Sequence, residues 1–139
     1  MEQATIGRHR YQKAGDVVRL QWQGNISADD LKVMREVTTR MMQELGRAFT
    51  ISDMSQVTGI DAGARKYMAE WGQQDGNGLI TGTAVYGLSF ATRAITTLAL
   101  NAITLLGKKK VEVAFVKDEA EATRWVDEQR AARFPESAS

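Results

Sequence analysis

The amino-acid sequence predicts an α/β fold in which covering helices pack on a mostly parallel sheet. Segments that are apolar, or that alternate between apolar and polar residues, recur between longer segments of helical periodicity, in the order β-β-α-β-α-β-α-β-α. Helices of this length are the usual connections between parallel strands, and the turn Ala14-Gly15-Asp16 predicts an antiparallel N-terminal edge strand. With 139 residues, the chain is expected to form a single domain over residues 1–139, with an ordered core of about 6–133.

The two opening strands are predicted over residues 8–13 and 17–23. In the second of them Val18, Leu20 and Trp22 alternate with mostly polar residues, which is typical of a strand with one buried face. A Gly-Asn pair is expected to end this strand. The first segment is basic and is predicted as an edge strand, so we expect the His9 ring to face solvent.

The first helix is predicted from its caps and from its apolar stripe. Ser27 and Asp30 resemble a capping box with Asp in place of Glu, and Gly46 is a typical C-terminal cap. The stripe recurs at steps of three and four residues, which predicts one buried helix face. Its members are Leu31, Met34, Val37, Thr38, Met41 and Leu45.

The middle of the chain supplies two more strands and a helix. Residues 48–54 are predicted as a strand that ends in an acidic turn at Asp53, and residues 79–86 as a strand closed by Gly87. Between these strands, Asp61 is a good N-cap for a helix. That helix carries Tyr67, Met68 and Trp71.

A long helix is predicted to begin at Leu88 and to end at Leu106. Arg93 and Asn101 interrupt its apolar residues, so a buried helix is favoured and no transmembrane segment is expected. Its polar face consists of Ser, Thr and Asn, with Arg93 as the single charge before the lysines that follow. Charge-poor faces are typical of interface cores, so we expect this face to meet a second subunit in a homodimer, a partner protein or the lip of an apolar pocket. A helix lightly covered by its neighbours is the alternative.

A short strand at residues 111–116 and a helix capped by Asp118 complete the chain. The 18 basic and 17 acidic residues give a net charge of +1, which argues against nucleic-acid binding. The absence of Cys and the single His exclude disulfides, a thiol nucleophile and a multi-histidine metal site. No metal or other cofactor is expected. The lack of Cys and of a secretory signal fits a cytoplasmic location.

The segment from residue 53 onward resembles the motif of STAS domains, in which Asp-Leu-Ser precedes an apolar position and Asp-Ser-Ser/Thr-Gly. Asp53-Met54-Ser55 and Asp61 match this motif, but Ala62 stands where the motif has a serine that can be phosphorylated. Alanine cannot accept a phosphate, which puts the phosphate-controlled switch of these domains in doubt. The resemblance implies a corner that docks a partner, made of Asp53, Ser55, Asp61 and Ala62.

The chain as a whole is more similar to the SpoIIAA-like family, a branch of the same fold that also resembles CRAL-TRIO lipid-binding domains. The residues behind this resemblance are Gly24-Asn25-Ile26-Ser27, Arg65 shortly after Asp61, and the run from Glu119 to Val126. The resemblance implies a non-enzymatic cytoplasmic domain that binds a protein partner or an apolar, lipid-like ligand. The alternative is a regulator of the anti-sigma-factor-antagonist type that lacks the usual phosphoserine. Ser52, Ser55 and Thr58 are the remaining hydroxyl groups near the corner.

Two arginines are the predicted ligand contacts. Arg65 and Arg93 lie near the starts of helices that follow neighbouring strands. If both helices leave on the same side, both guanidinium groups can bind one anionic group, such as a lipid phosphate or a carboxylate. The alternative is two surface arginines that pair with local acids such as Asp61 or Glu70.

A small hydrolase is the least favoured function. Asp53 and Asp61 could form a carboxylate pair for acid–base work or cation binding, but a turn and a helix cap explain both residues. Ser89 lies where a strand meets a helix, as in a nucleophile elbow, but the second glycine of that motif is absent and only His9 could act as a base. Ser89 is therefore favoured as an N-cap.

Overall fold

A computed structural model of the protein describes residues 2–6, 9–73, 80–88 and 112–135. Six strands and three helices lie in these ranges. Within them, no helix combines the length and the apolar character that a membrane crossing requires. In chain order the elements are β1 (Glu2–Ile6), β2 (His9–Ala14), β3 (Val17–Ile26), α1 (Ala28–Leu45), β4 (Phe49–Ile60), α2 (Ala62–Gln73), β5 (Gly82–Tyr86), β6 (Glu112–Phe115) and α3 (Glu119–Arg133).

The strands form one sheet in the order β1-β2-β3-β4-β5-β6. The first two pairs in this order are antiparallel, and the pairs from β3 to β6 are parallel. α1 connects β3 to β4 and α2 connects β4 to β5, as parallel neighbours require. The predicted α/β class, the mostly parallel sheet and the antiparallel N-terminal edge are confirmed.

The outermost strand, β1, was not predicted. It pairs with β2 along its whole length, from Glu2 opposite Lys13 to Ile6 opposite His9. Ala4 and Thr5 are exposed, and the segment does not show the alternation of apolar and polar residues that would predict a strand. An edge strand is held by main-chain hydrogen bonds, which leave no trace in the hydrophobic pattern.

The predicted helix from Leu88 to Leu106 lies outside the described residues, apart from Leu88 itself. Ser89 and Arg93 belong to this part of the chain. The homodimer contact that the helix was expected to provide therefore stays a prediction.

Two apolar clusters cover the two faces of the sheet. The predicted inward residues of β3, namely Val18, Leu20 and Trp22, are at most 5% exposed. They pack with α1 and α2 in a cluster that also contains Ile26, Leu31, Met34, Met41, Ala48, Met54, Ile60, Ala64 and Val85. The cluster on the opposite face packs against α3 and contains Val17, Phe49, Ile51, Ala84, Ala122 and Val126.

The helix caps predicted within the described residues are present. In α1, the Ser27 hydroxyl accepts a hydrogen bond from the Asp30 N–H at 3.2 Å, and the Asp30 carboxylate accepts one from the Ser27 N–H at 2.9 Å. Gly46 ends this helix with a φ of 74°. Asp118 caps α3. Leu45 was expected to be buried, but it is exposed because it is the last residue before the Gly46 cap.

β3 and β4 are longer than predicted. The expected ends were Gln23 and Asp53-Met54, whereas the paired strands continue to Ile26 and Ile60. Two register shifts each place one extra residue in β4, between the partners of Gln21 and Gln23 and between those of Gly24 and Asn25. As a result the inward residues of β4 are spaced by three instead of two. They are Met54, Val57 and Ile60.

A buried carboxylate, that of Asp16, links the β2–β3 turn, the connection from α1 to β4, and α3. Asp16, in the turn between β2 and β3, receives hydrogen bonds from Arg47 at 2.7 Å and from Arg130 of α3 at 2.7 and 3.0 Å. Its main-chain oxygen accepts the N–H of Phe49. Burial alone would raise the pKa of Asp16, but the hydrogen bonds from Arg130 and Arg47 hold it below its ordinary value.

Candidate functional site

Asp53 and Ser55 form the first half of the predicted corner. Asp53 lies opposite Gln21 of β3 and Tyr86 of β5, in the last described pair between β4 and β5. One carboxylate oxygen of Asp53 accepts the N–H of Ser55 at 2.9 Å, which is the local main-chain bond expected for this residue. The strand nevertheless continues beyond it.

Gly87 fixes the end of β5 against this half of the corner. Its φ is +80°, in the left-handed region that favours glycine. A Cβ atom at this position would lie 2.8 Å from the main-chain nitrogen of Ser55. The close approach therefore requires the absence of a side chain at residue 87, and Ser55 itself is exposed.

Asp61 and Ala62 form the second half. The Asp61 carboxylate accepts the N–H of Ala64 at 2.7 Å and the side-chain amide of Asn25 at 3.1 Å, so the predicted helix cap is confirmed. These two hydrogen bonds hold the pKa of Asp61 below its ordinary value, and the bond from the Ala64 N–H has the larger effect. Ala62, the first residue of α2, is exposed.

The two aspartates do not form a carboxylate pair. Asp53 lies opposite Gln21, whereas the N–H of Asp61 bonds to the oxygen of Ile26. Five steps along β3 separate these partners, which is about 16 Å. The two carboxylates therefore cannot act on one cation or one substrate atom. In the described ranges no group of three or more His, Asp or Glu side chains could hold a metal ion.

The three hydroxyl groups near the corner differ in access. Ser52 is buried and its oxygen accepts the indole N–H of Trp22 at 3.1 Å. Ser55 and Thr58 are exposed. Only the last two therefore present a hydroxyl to a modifying enzyme.

Arg65 is exposed, but its guanidinium group turns back to the start of its own helix. Nη1 donates to the main-chain oxygen of Ile60 at 2.8 Å. Arg93 lies outside the described residues, so a shared anion site of the two arginines stays a prediction. The alternative partner Glu70 pairs instead with Lys66, at 3.9 Å.

The prediction that His9 faces solvent is wrong. His9 is 2% exposed and packs edge-on against Trp22, with the ring centroids 4.8 Å apart. Nδ1 accepts the N–H of Gln23 at 2.9 Å, so the ring proton is on Nε2, which donates to the Asp30 carboxylate at 2.9 Å. His9 thus joins β2 to the capping box of α1. Its position between two arginines concealed this role, because the unpredicted β1 leaves β2 inside the sheet.

An open groove of about 640 Å³ lies on the sheet face that carries α3. α3 packs on β4 and β5, and the groove extends from its N-terminal end across β3, β2 and β1. The floor contains a row of side chains from five neighbouring strands, in direct register. The row consists of Thr5, Arg10, Gln21, Asp53 and Tyr86.

The groove holds both signs of charge. Arg19 pairs with Glu119, the first residue of α3, at 3.3 Å. Burial raises the pKa of Tyr86 to about 12, and the nearby carboxylates of Asp53 and Glu119 add to the shift. Sequence reasoning missed this groove. The available signal was the polar pair Arg19 and Gln21, which alternates with the buried residues of β3.

The comparisons with known proteins point to one fold. The sequence matches no family model and no curated protein. The chain is similar in structure to an uncharacterised protein of the DUF3478 family with a SpoIIAA-like fold from Shewanella loihica PV-4. The TM-score is 0.55 at 14% identity, over 83% of this chain and 89% of that one.

A second solved structure supports the same conclusion. The anti-sigma factor antagonist SpoIIAA in its unphosphorylated form is similar with a TM-score of 0.50 at 10% identity, over 86% of this chain and 97% of that chain. Identities this low establish the fold and leave the function open. The sheet order, the α1–α2 layer and these two likenesses together show that the chain has a SpoIIAA-like fold of the STAS type.

Proposed function

We propose that this chain is a non-catalytic regulatory domain that binds a protein partner of the anti-sigma-factor class at the start of α2. The observation that carries the proposal is the exposed Ala62 directly after the Asp61 cap, in a fold similar to that of an anti-sigma factor antagonist. We further propose that the protein acts in the cytoplasm and needs no cofactor.

The start of α2 is suited to docking because its exposed residues are small and its conformation is held by hydrogen bonds. Ala62 and Gly63 are exposed and carry little side chain, so a partner can approach the backbone closely. The Asp61 carboxylate is already oriented by Ala64 and Asn25. A surface ordered before binding loses less conformational freedom when the partner docks.

Regulation in this proposal does not use a phosphate at residue 62. A phosphoserine adds about 1.5 to 2 negative charges at a helix start, and Ala62 cannot carry them. Control of the complex would then come from the amount of partner or from Ser55, whose exposed hydroxyl lies in the other half of the corner.

An apolar or lipid-like ligand held by Arg65 and Arg93 is the weaker proposal. Arg65 already donates to the oxygen of Ile60. The groove beside α3 carries charged and amide side chains, which suit a polar ligand better than an acyl chain.

The test is a titration of the purified protein against each anti-sigma factor of the organism that encodes it. We expect one of them to bind with a Kd below about 100 μM. Ala62→Arg should weaken that complex at least about tenfold, which is 1.4 kcal/mol. The matched control is Ala132→Arg, because Ala132 is also an exposed helical alanine but lies on α3.

Two results would contradict the proposal. One is the absence of binding to every anti-sigma factor tested. The other is a complex that Ala62→Arg and Ala132→Arg leave equally intact, which would move the docking surface away from the start of α2.

A further inference from the structure

We infer that the groove on the α3 face of the sheet binds a zwitterion of dipeptide size, with its carboxylate held by Arg10 and its ammonium group held by Asp53. The inference is independent of the partner proposed above. Asp53 lies about 16 Å along the sheet from the start of α2, so a ligand in the groove and a protein at Ala62 do not compete for the same side chains.

The groove has the size and the construction of a ligand site. Its volume of about 640 Å³ falls within the range of about 300–1,000 Å³ that is usual for small-molecule sites. Its floor residues project from paired strands, whose backbone positions are set by the ladder hydrogen bonds. Polar groups on strands are held in place more firmly than groups on loops.

Two opposite charges in the groove have no partner of opposite charge within the described residues. Arg19 is neutralised by Glu119. Arg10 is exposed and makes no hydrogen bond or ion pair to any other described side chain. Asp53 accepts one main-chain N–H through one oxygen and has no basic partner in the described ranges. The uncommitted charges of the groove are therefore one guanidinium group and one carboxylate.

The spacing of these charges defines the ligand. Arg10 and Asp53 lie in the same cross-strand row with Gln21 between them, so their backbones are two strand spacings apart, about 10 Å. The charged termini of an extended dipeptide lie about 7 Å apart, and the side chains of Arg10 and Asp53 can cover the remaining distance. The charged groups of a single amino acid lie closer together and fit this spacing less well, and a ligand with one sign of charge leaves one group unpaired.

The side chains beside the charged pair suit the peptide group of such a ligand. Gln21 offers an amide between the two charges, and Tyr86 borders Asp53 in the same row. With a pKa raised by burial to about 12, Tyr86 remains a phenol at neutral pH and can donate a hydrogen bond. Asp53, which has no basic partner in the described ranges, places the ammonium group at this end of the groove.

The experiment is isothermal titration of the intact protein with L-alanyl-L-alanine as the probe. We expect saturable binding, at least about tenfold weaker binding of L-alanine, and none of the uncharged N-acetyl-dialanine amide. Arg10→Gln and Asp53→Asn should each weaken dialanine binding at least about tenfold. Arg124→Gln, which removes an exposed arginine of α3 outside the groove, should have no effect.

Singly capped dipeptides assign the two ends. N-acetyl-dialanine has no ammonium group, so its weak binding should be unaffected by Asp53→Asn and further reduced by Arg10→Gln. Dialanine amide should show the opposite dependence. The side-chain amide in Asp53→Asn retains an oxygen for the Ser55 N–H and Arg10 is exposed, so both variants should keep the wild-type melting temperature.

Three results would overturn the inference. They are the absence of saturable heat with dialanine, equal binding of the uncharged derivative, and unchanged dialanine binding in both Arg10→Gln and Asp53→Asn. If Asp53→Asn lowers the melting temperature, the N-acetyl-dialanine comparison on the wild-type protein decides the ammonium end without that variant.

Discussion

Replacing Asp16 by Asn removes the charge that links the β2–β3 turn, the connection before β4 and α3. The Asp16 side chain is 7% exposed, and it receives hydrogen bonds from Arg47 and Arg130. Removing one partner of a buried ion pair costs about 3–5 kcal/mol, because the other charge stays buried without compensation. Here the two arginine side chains are 23% and 20% exposed, so water can rehydrate them in part. We therefore expect a loss of about 2–3 kcal/mol in the free energy of unfolding.

The effect of Asp16→Asn should depend on pH. The pKa of Asp16 is lower in the folded protein than the value of about 3.9 for an unfolded chain. Its contribution to stability is therefore fully present above that unfolded pKa and is lost as the pH falls through the folded pKa. The difference between wild type and variant should be constant from pH 6 to 8 and should shrink steadily below about pH 4.

Urea unfolding followed by tryptophan fluorescence at several pH values measures this difference. Asp127→Asn is the matched control, because Asp127 bonds to the same Arg130 but is 63% exposed. Exposed ion pairs contribute about 0–1 kcal/mol, so the control should lose less than about 1 kcal/mol. A loss below about 0.5 kcal/mol for Asp16→Asn at pH 7, or a difference that persists unchanged at pH 3, would refute the reasoning.

Three further substitutions test other parts of the fold by the same unfolding measurement. His9→Phe leaves the Gln23 N–H and the Asp30 carboxylate without their hydrogen-bond partner and should cost about 2–4 kcal/mol. A loss below about 1 kcal/mol would mean that water supplies these hydrogen bonds instead. Gly87→Ala should cost at least about 1–2 kcal/mol, because of its positive φ and its contact with Ser55, and an unchanged stability would contradict that close approach. Trp22→Phe removes the hydrogen bond to Ser52 and should cost about 1–2 kcal/mol, whereas a stabilised variant would show that this bond is dispensable.

Local signals in the sequence were sufficient for much of the fold. The alternation of Val18, Leu20 and Trp22 predicted the buried face of β3, because only one register places these side chains in the core. Ser27 and Asp61 predicted helix starts, because a cap bonds to main-chain groups two or three residues away. Both kinds of signal act within a few residues, so a single sequence contains them in full.

The features that sequence reasoning missed depend on distant parts of the chain. β1 is recognisable only through its pairing with β2, and its presence explains why His9 is buried. The groove arises because Arg10, Gln21 and Asp53, which are far apart in the sequence, fall into one cross-strand row. Nothing in the neighbourhood of each residue indicates the register that brings them together.

The two extra residues in β4 have a consequence for how the chain can change during evolution. Between Met54 and Ile60 each extra residue widens the spacing of the inward side chains from two to three. Each register shift absorbs its own extra residue, so losing the extra residue of either one would restore plain alternation there and would keep Met54, Val57 and Ile60 inward. Among homologous chains the two extra residues should therefore be gained or lost independently, so that the length of the segment changes by one residue at a time at these two positions.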